Sequence, residues 1–490
     1  MKQVFSSSEN IKQEYCCSII RVGELKPIEG KDRIVQTLVN GLSMVVRKDQ
    51  VKEGDIMFYA MNETQLSEKF LAANNLFSID CYEKNSNAVE VGKLLFDGKN
   101  EEAKQHVGFF NKYGRVKLLR LGGIPSFGYL FSVNELAKVY PDVLKVNLEE
   151  LIDTDFDTVC GEEFVKVYMP PVKEATPRGS KEAKLKRKLA KFDRLVPGEF
   201  AFHYETKHLE RFISFIKPTD IVTISVKMDG TSFIVGNLLV KFPKWNGLYK
   251  KIFPYLPKFL QFTYEDYDII YSSRKVIINS DINPNKGVGW DDGSVQKAIT
   301  VVANLIRDYI PKGMTVYGEI VGYYNDTNKA IQVRGGKDYD YGCPVGTNRF
   351  MPYRIVTKNE DGTKHEWNVM DVYDWTINLA HEHPELDKYI QPIVIVYHGT
   401  LADLYPQIDV QNHWHENVLE AMKNDKKTLG LEVYEPLCKK AKVWREGVVL
   451  RVDDDVVNEA FKLKSVNYSE KERDDYDKGI VDAEALEGYQ

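Results

Sequence analysis

Two patterns and one joint in the sequence predict an α+β protein with a small front domain and a larger rear one. From Glu14 to about Met169, short β-branched runs are separated by Gly, Asn and Asp, which is the pattern of a small barrel or sandwich. From about Ile221 to Val466, strand-like and helix-like segments alternate irregularly, which is a mixed α+β pattern. Between them lies a basic, Pro-punctuated segment. The 490 residues allow two or three domains at about 100 to 200 residues each. With 43% hydrophobic and 12% aromatic residues, the chain can bury real cores. That excludes a disordered, collagenous or disulfide-stapled protein.

The front strands are CCSIIRV, DRIVQTLV, LSMVVRK, DIMFYAM, RVKLLRL and GYLFSV. The joint follows, with Pro170, Pro171, Pro177 and Gly179, and then KEAKLKRKLAKFDR. Between Lys173 and Arg194 stand nine Lys/Arg and three Asp/Glu. Leu185, Leu189 and Phe192 fall at i, i+4 and i+7, so the spacing predicts a basic amphipathic helix, with a solvated linker face as the plainer reading. The closing stretch SEKERDDYDKGIVDAEALEGYQ carries eight acids against three bases and reads as a frayed helix or tail. The domain boundaries expected are 1–170, a basic linker 171–200, a main domain 201–468 and an acidic tail 469–490.

The formal net charge of -6 advertises no global field for a polyanion, so any such site must be local. The six cysteines contain no C-x-x-C pair, which argues against structural zinc and for a reducing compartment. The start, MKQVFSSSENIKQEY, lacks a continuous apolar stretch, and no run approaches the roughly 18 residues of a membrane span. A cytoplasmic protein without a membrane partner is expected.

The chemistry begins at IVTISVKMDG. A strand period of two puts Ile221, Thr223, Ser225 and Lys227 on one face and Val222, Ile224, Val226 and Met228 on the other. Lys227 thus ends the strand on its polar side, before a turn at Asp229-Gly230. A lysine there, with a carboxylate two residues on, can serve as a nucleophile; a lysine closing a strand before a type I turn would look the same. Three further strand-end groups follow in order. VYGEIVG carries Glu319, with Gly318 and Gly322 leaving room for a ligand. WREGVVLRV carries Glu446, and FKLKS puts Lys462 and Lys464 on one face. Together these carboxylates and lysines suit a nucleoside triphosphate, a divalent cation and a covalent lysine adduct.

The ordered set KMDG, YSSR, YGEIVG, VMDVYDW, EGVVL and KLK resembles the nucleotidyltransferase motif series of ATP-dependent RNA ligases, DNA ligases and mRNA capping enzymes. It covers about Ile221 to Val466. The front segments IIRVGELKPIEGKDRIVQTLVNGLSMVVRKDQVKEGDIMFY and GRVKLLRLGGIPSFGYLF resemble the N-terminal OB module of Naegleria-type RNA ligases. The resemblance implies an OB-like β-barrel followed by an ATP-grasp-like nucleotidyltransferase domain of antiparallel sheets and helices. It implies that Lys227 attacks the α-phosphate of ATP. At an unperturbed pKa of about 10.4, only about one lysine in a thousand is neutral near pH 7.4, so the pocket must favour the amine. Asp229, Glu319 and Glu446 would accept Mg2+, or Mn2+, or its waters, and Glu319 could also meet the ribose. Lys462 and Lys464 would neutralise phosphate charge. Val226 would line the nucleotide site, Arg274 would meet ribose or phosphate, and Tyr373 would stack on adenine, with a core tyrosine as the alternative.

Two features choose among the branches. DNA ligases and capping enzymes usually carry Arg two residues after the Gly of the lysine motif, where this chain has Thr231-Ser232. They also need an OB domain after the last motif, and 26 residues follow Lys464. The expectation is an ATP-dependent RNA ligase acting on RNA ends or a nicked duplex, as a monomer, through a lysyl-AMP and an adenylated RNA end. The alternatives are a DNA-joining or capping-type enzyme, or an inactive nucleic-acid-binding protein. Arg274 lies 47 residues after Lys227, further than the compact spacing, because of an insertion that mixes five lysines with aromatics. That mixture suits single-stranded nucleic acid; a helical hairpin packed on the core fits equally. FHYETKHLERF matches the family's acidic-Arg element too loosely to assign residues, and HEH (381–383) and HWH (413–415) read as exposed histidines.

Overall fold

The computed structural model describes residues 4–8, 15–169, 193–203, 206–245, 247–253, 256–279, 282, 294–359, 361–453 and 459–480. It divides into two compact units, Met1–Pro171 and Val172–Gln490. The basic linker helix expected around 185–192 falls outside the described residues. No described helix is long and apolar enough to cross a membrane.

In the first unit, Tyr129–Phe131, Ile56–Ala60, Cys17–Arg21 and Asp155–Phe156 form a four-stranded antiparallel sheet. Lys26–Ile28, Lys31–Val39 and Leu42–Arg47 form a meander beside it in sequence. Its tight turn is Asn40-Gly41, both at positive φ, which is the two-residue pair that matches strand twist. Phe58, Phe70, Phe131, Phe156 and Phe164 fill the core. Three further small sheets complete the unit. No sheet closes on itself among the described residues, so the part of the barrel expectation that stands is an antiparallel β-rich unit with short helices.

The second unit is built on two five-stranded sheets. One runs in the order Lys207–His208, Ala460–Lys464, Gly447–Val452, Ile221–Lys227, Ile395–Thr400, antiparallel except for the first pair. The other runs Thr263–Ser272, Thr231–Pro243, Met314–Gly322, Asn348–Lys358, Lys364–Glu366, antiparallel throughout. Helices Ser294–Ile306 and Val369–Glu382 cover the second sheet, with Ala298, Val302 and Val372 packed on Val235, Val316 and Ile355. Helix Trp414–Asn424 covers the first, with Val418 and Met422 against Ile224 and Leu450. A third core, containing Val226, Met228, Val321, Met351 and Tyr468, joins the two sheets.

The lysine strand Ile221–Lys227 is an interior strand, paired along both edges, and Val222 to Val226 are buried on both its faces. Thr223 and Ser225 on the expected polar face are buried, and Ile221 and Lys227 at its ends are not. The insertion after the lysine motif is a long β-hairpin, Thr231–Pro243 against Thr263–Ser272, rather than a helical hairpin. Its alternation of apolar and polar residues continues the second sheet outward, and its described tip carries the short helix Leu248–Ile252 and the 3-10 turn Lys258–Leu260.

Candidate functional site

The two sheets meet where the lysine strand turns. A Cβ at Gly230 would lie 2.5 Å from the Ile320 carbonyl oxygen, so only glycine lets the turn press against the neighbouring strand. Gly318 answers packing rather than a ligand, because a Cβ there would come 2.4 Å from the Phe350 ring.

Lys227 points its Nζ at Glu446, 2.9 Å from Oε1. Cross-strand pairing explains this, since Lys227 lies opposite Gly447, and Gly447 lies opposite Lys464. The same Oε1 has Lys464 Nζ at 3.6 Å, and that ammonium also donates to Glu472 Oε2 at 2.8 Å. Burial would raise the Glu472 carboxyl; the positive charges of Lys464, Arg334 and Lys227 outweigh it and hold the group down at about 2. Glu446 Oε2 is buried and accepts no hydrogen bond among the described residues. A buried carboxylate oxygen without a donor fits a cation or a water held by one.

Asp229 faces the other way. Arg334 donates to both its oxygens, at 3.0 and 3.1 Å, and Tyr468 Oη donates to Oδ2 at 2.7 Å. Its own N–H donates to Tyr341 Oη at 2.7 Å. Burial first, and Asp229 against the opposing pull of Arg334, keep the Tyr468 phenol protonated and able to donate. The carboxylate read in the sequence as a metal acceptor is therefore committed to an arginine and a tyrosine. Gln332 Nε2 ties the turn down at the Gly230 carbonyl, 2.7 Å away.

A second group of cations gathers about His203. Its imidazole is pushed down to about 3, first by burial and then by the positive charges of Arg274, Lys227, Arg354 and Lys462, so it is neutral near pH 7. Tyr353 Oη lies 2.8 Å from its Nδ1. Glu319 stands half-buried on Met314–Gly322, opposite Ser232 and Met351. Val226 is buried in the joining core.

The structure thus unites Lys227, Glu446 and Lys464 directly and brings Arg274 and Lys462 into the same field. Tyr373 stands half-buried on helix Val369–Glu382, whose Val369 packs into the joining core and whose Val372 and Leu379 pack into the core of the second sheet. The aromatic beside His203 is Tyr353, on the strand paired with that of Glu319, and it packs against the joining core. Among the described residues no group of three or more His, Cys, Asp or Glu is arranged to hold a metal ion, the HEH and HWH histidines included.

Comparison with known proteins bears on the fold. No family model matches the chain, and no curated protein matches its sequence. Solved structures do. A point variant of the Naegleria gruberi RNA ligase with ATP and Mn aligns over 94% of this chain and 99% of its own, with a TM-score of 0.51 at 16% identity. A second variant of that ligase with ATP and Mn covers 93% and 99% at TM-score 0.51 and 15% identity. A third covers 93% and 98% at 0.50 and 16%. This chain shares their fold. The alignment spans residues of both compact units.

Proposed function

We propose that the protein is an ATP-dependent RNA ligase, joining RNA 3′-hydroxyl and 5′-phosphate ends or nicks in RNA repair. The observation that carries the reading is the Lys227 ammonium, held 2.9 Å from Glu446 at the end of a buried strand. A lysine so placed, among cations that attract a triphosphate, is a nucleophile aimed by its partner. In the first step Lys227 Nζ, having lost a proton, forms a bond to the α-phosphorus of ATP as the bond to the pyrophosphate oxygen breaks. Glu446 fixes the direction of Nζ and is the nearest acceptor for its proton. Lys462, Lys464 and Arg274 face the charge that builds on the phosphates. The AMP then passes to an RNA 5′-phosphate, and a 3′-hydroxyl displaces it.

The base side of the pocket is read as Val226 with Tyr353 in place of Tyr373, a choice supported by the contact of Tyr353 with His203 and its packing against the core that holds Val226. Glu319 is positioned to meet the ribose. A divalent cation, Mg2+ or Mn2+, would be held by Glu446 with Glu319, chiefly through water and the nucleotide itself; it supplies charge neutralisation at the phosphates. Asp229 then acts as a positioning residue, fixing the turn through Arg334 and Tyr468. The ligase variants of like fold bind ATP and Mn, which supports this choice of nucleotide and metal class. The front unit is read as an OB-like module that holds RNA, in a monomeric, cytoplasmic enzyme.

The test is incubation with α-labelled ATP or GTP and Mg2+ or Mn2+, then denaturing electrophoresis. A label from ATP that survives denaturation, and is chased onto 5′-phosphorylated RNA, is the expected result. No adduct with either nucleotide removes the reading in favour of a nucleic-acid-binding protein that does not turn over.

A further inference from the structure

The hairpin inserted after the lysine motif takes part in none of the steps above, yet its tip concentrates apolar surface. Trp245, Leu248, Ile252, Phe259, Phe262 and Tyr264 are all exposed, Phe259 to 77%. A cluster of this kind marks a surface that something covers. The rings order one another: Trp245 stands edge-on to Tyr249 and Phe262, with centroids at 4.8 and 5.4 Å. Phe242 stacks on Tyr264 at 5.6 Å, with planes 22° apart.

Charge decides what covers it. From Lys241 to Tyr264 the sequence holds five lysines and no acid, in a chain that is acidic overall. Lys244 Nζ lies 5.7 Å from the centre of the Trp245 ring, and the Arg194 guanidinium lies 4.0 Å from that of Phe242. Lysines interleaved with exposed rings match a strand that offers phosphates and base faces in alternation. A segment lying on a membrane is ordinarily a long amphipathic helix, whereas the helical segments described at this tip, Leu248–Ile252 and the 3-10 turn Lys258–Leu260, have five and three residues.

The hairpin is also continuous with the site. Its first strand opens at Thr231, and Ser232 pairs with Glu319. At about 3.4 Å per residue, the eleven steps to Pro243 carry the base of the tip at most about 37 Å along the strand from that pair. We propose that the tip binds single-stranded RNA away from the joining point, through base stacking on Trp245, Phe259 and Phe262 and phosphate contacts from Lys241 and Lys244. The choice of RNA rests on the ligase reading; the existence of the binding surface does not.

The test measures binding of a fluorescent 30-nucleotide single-stranded RNA to the full chain without ATP, over a range of salt. Trp245→Ala with Phe259→Ala is expected to weaken binding at least about tenfold. Lys241→Ala with Lys244→Ala is expected to flatten the log-log salt slope by about 1.4, or about 0.7 per phosphate contact. Thermal unfolding of each variant checks the fold, and Phe259→Ser alone, at so exposed a position, keeps the test decisive if the ring pair misfolds. Unchanged affinity in both ring variants overturns the proposal. So does loss of binding to phosphatidylcholine–phosphatidylserine vesicles with RNA affinity intact, which would assign the tip to a membrane surface. Adduct formation from labelled ATP by the wild-type chain is scored separately. RNA binding through the tip without an adduct would leave the tip standing and remove the ligase; an adduct with indifferent ring variants would do the reverse.

Discussion

Lys227 is the residue on which the proposed chemistry turns. Its strand is held from both sides and from helix Trp414–Asn424, so removing a side chain that is a quarter exposed at the strand's end leaves the packing intact. Lys227→Ala is expected to fold normally and carry no label after incubation with α-labelled ATP. Lys227→Arg should fail equally, because guanidinium does not deprotonate near neutral pH. A label surviving in either variant would place the nucleophile elsewhere. Glu446→Gln takes from Lys227 its carboxylate partner while Lys464 keeps Glu472, and label incorporation should vanish at every Mg2+ or Mn2+ concentration. An exposed ion pair would lose well under about 1 kcal/mol and keep activity. His203 gives a pH signature. Folded, it titrates at about 3; unfolded, at about 6.5. Between those values the unfolded chain binds the extra proton, so stability rises with pH across this window and is lost on acidification below about 6.5. In His203→Gln the urea midpoint should change less between pH 4 and pH 7; an unchanged slope would show that His203 is not the group responsible. Much of the site at this scale was readable: a strand period of two sufficed to put Lys227 at a strand end and Lys462 with Lys464 on one face. His203 and Tyr353 were not, because neither sits in a pattern of its own. Each is defined by what a distant strand brings to it, and Tyr373 drew the aromatic role only by position in a motif.

At the scale of elements, the closing helix shows how composition can hide periodicity. Tyr468, Glu472 and Asp475 stand at i, i+4 and i+7, the spacing of one helix face, yet two are acids in a run that reads as a frayed helix or tail. Helix Val466–Asp477 buries Tyr468 and Asp475, aims Glu472 at Lys464 and accepts the Gly335 N–H on Asp475 at 2.9 Å. A Gly335-Gly336 turn, both residues at positive φ, presents Arg334 to Asp229 just before it. The unit is therefore a buried ion pair clamped between a hairpin and a helix. Arg334→Met should destabilise the fold by about 3 to 5 kcal/mol, because it strands a buried carboxylate. Asp229→Asn in the same chain should restore part of that loss. Urea unfolding of the two single variants and the double measures the coupling; simple additivity would mean that the pair does not act as a unit. The hairpin insertion was equally ambiguous from sequence, since its lysines and rings suited single-stranded nucleic acid or a helical hairpin packed on the core, and pairing with Thr263–Ser272 makes it a β-hairpin.

At the scale of the whole molecule, the two compact units each have a core built from their own residues, Phe58 with Phe131 and Phe164 in one, the two sheets and their helices in the other. Alternating β-branched runs made the front unit visible in the sequence. Closure into a barrel was not visible, because register between distant strands is not a property of any one run. The cations and carboxylates of the proposed adenylylation site all lie in Val172–Gln490, and so does every strand they stand on. A chain beginning near Val172 is therefore expected to fold with a single cooperative transition and to form the lysyl adduct. If the front unit holds RNA, the same shortened chain should lose far more end joining than adduct formation. Single-turnover adduct yield and nick sealing, measured side by side on the full and shortened chains, separate the two. Equal loss of both would mean that the front unit supports the adenylylation step itself. Equal sealing by the two chains would make the front unit a passenger, and the RNA-holding surface would then have to be sought within the two-sheet unit alone.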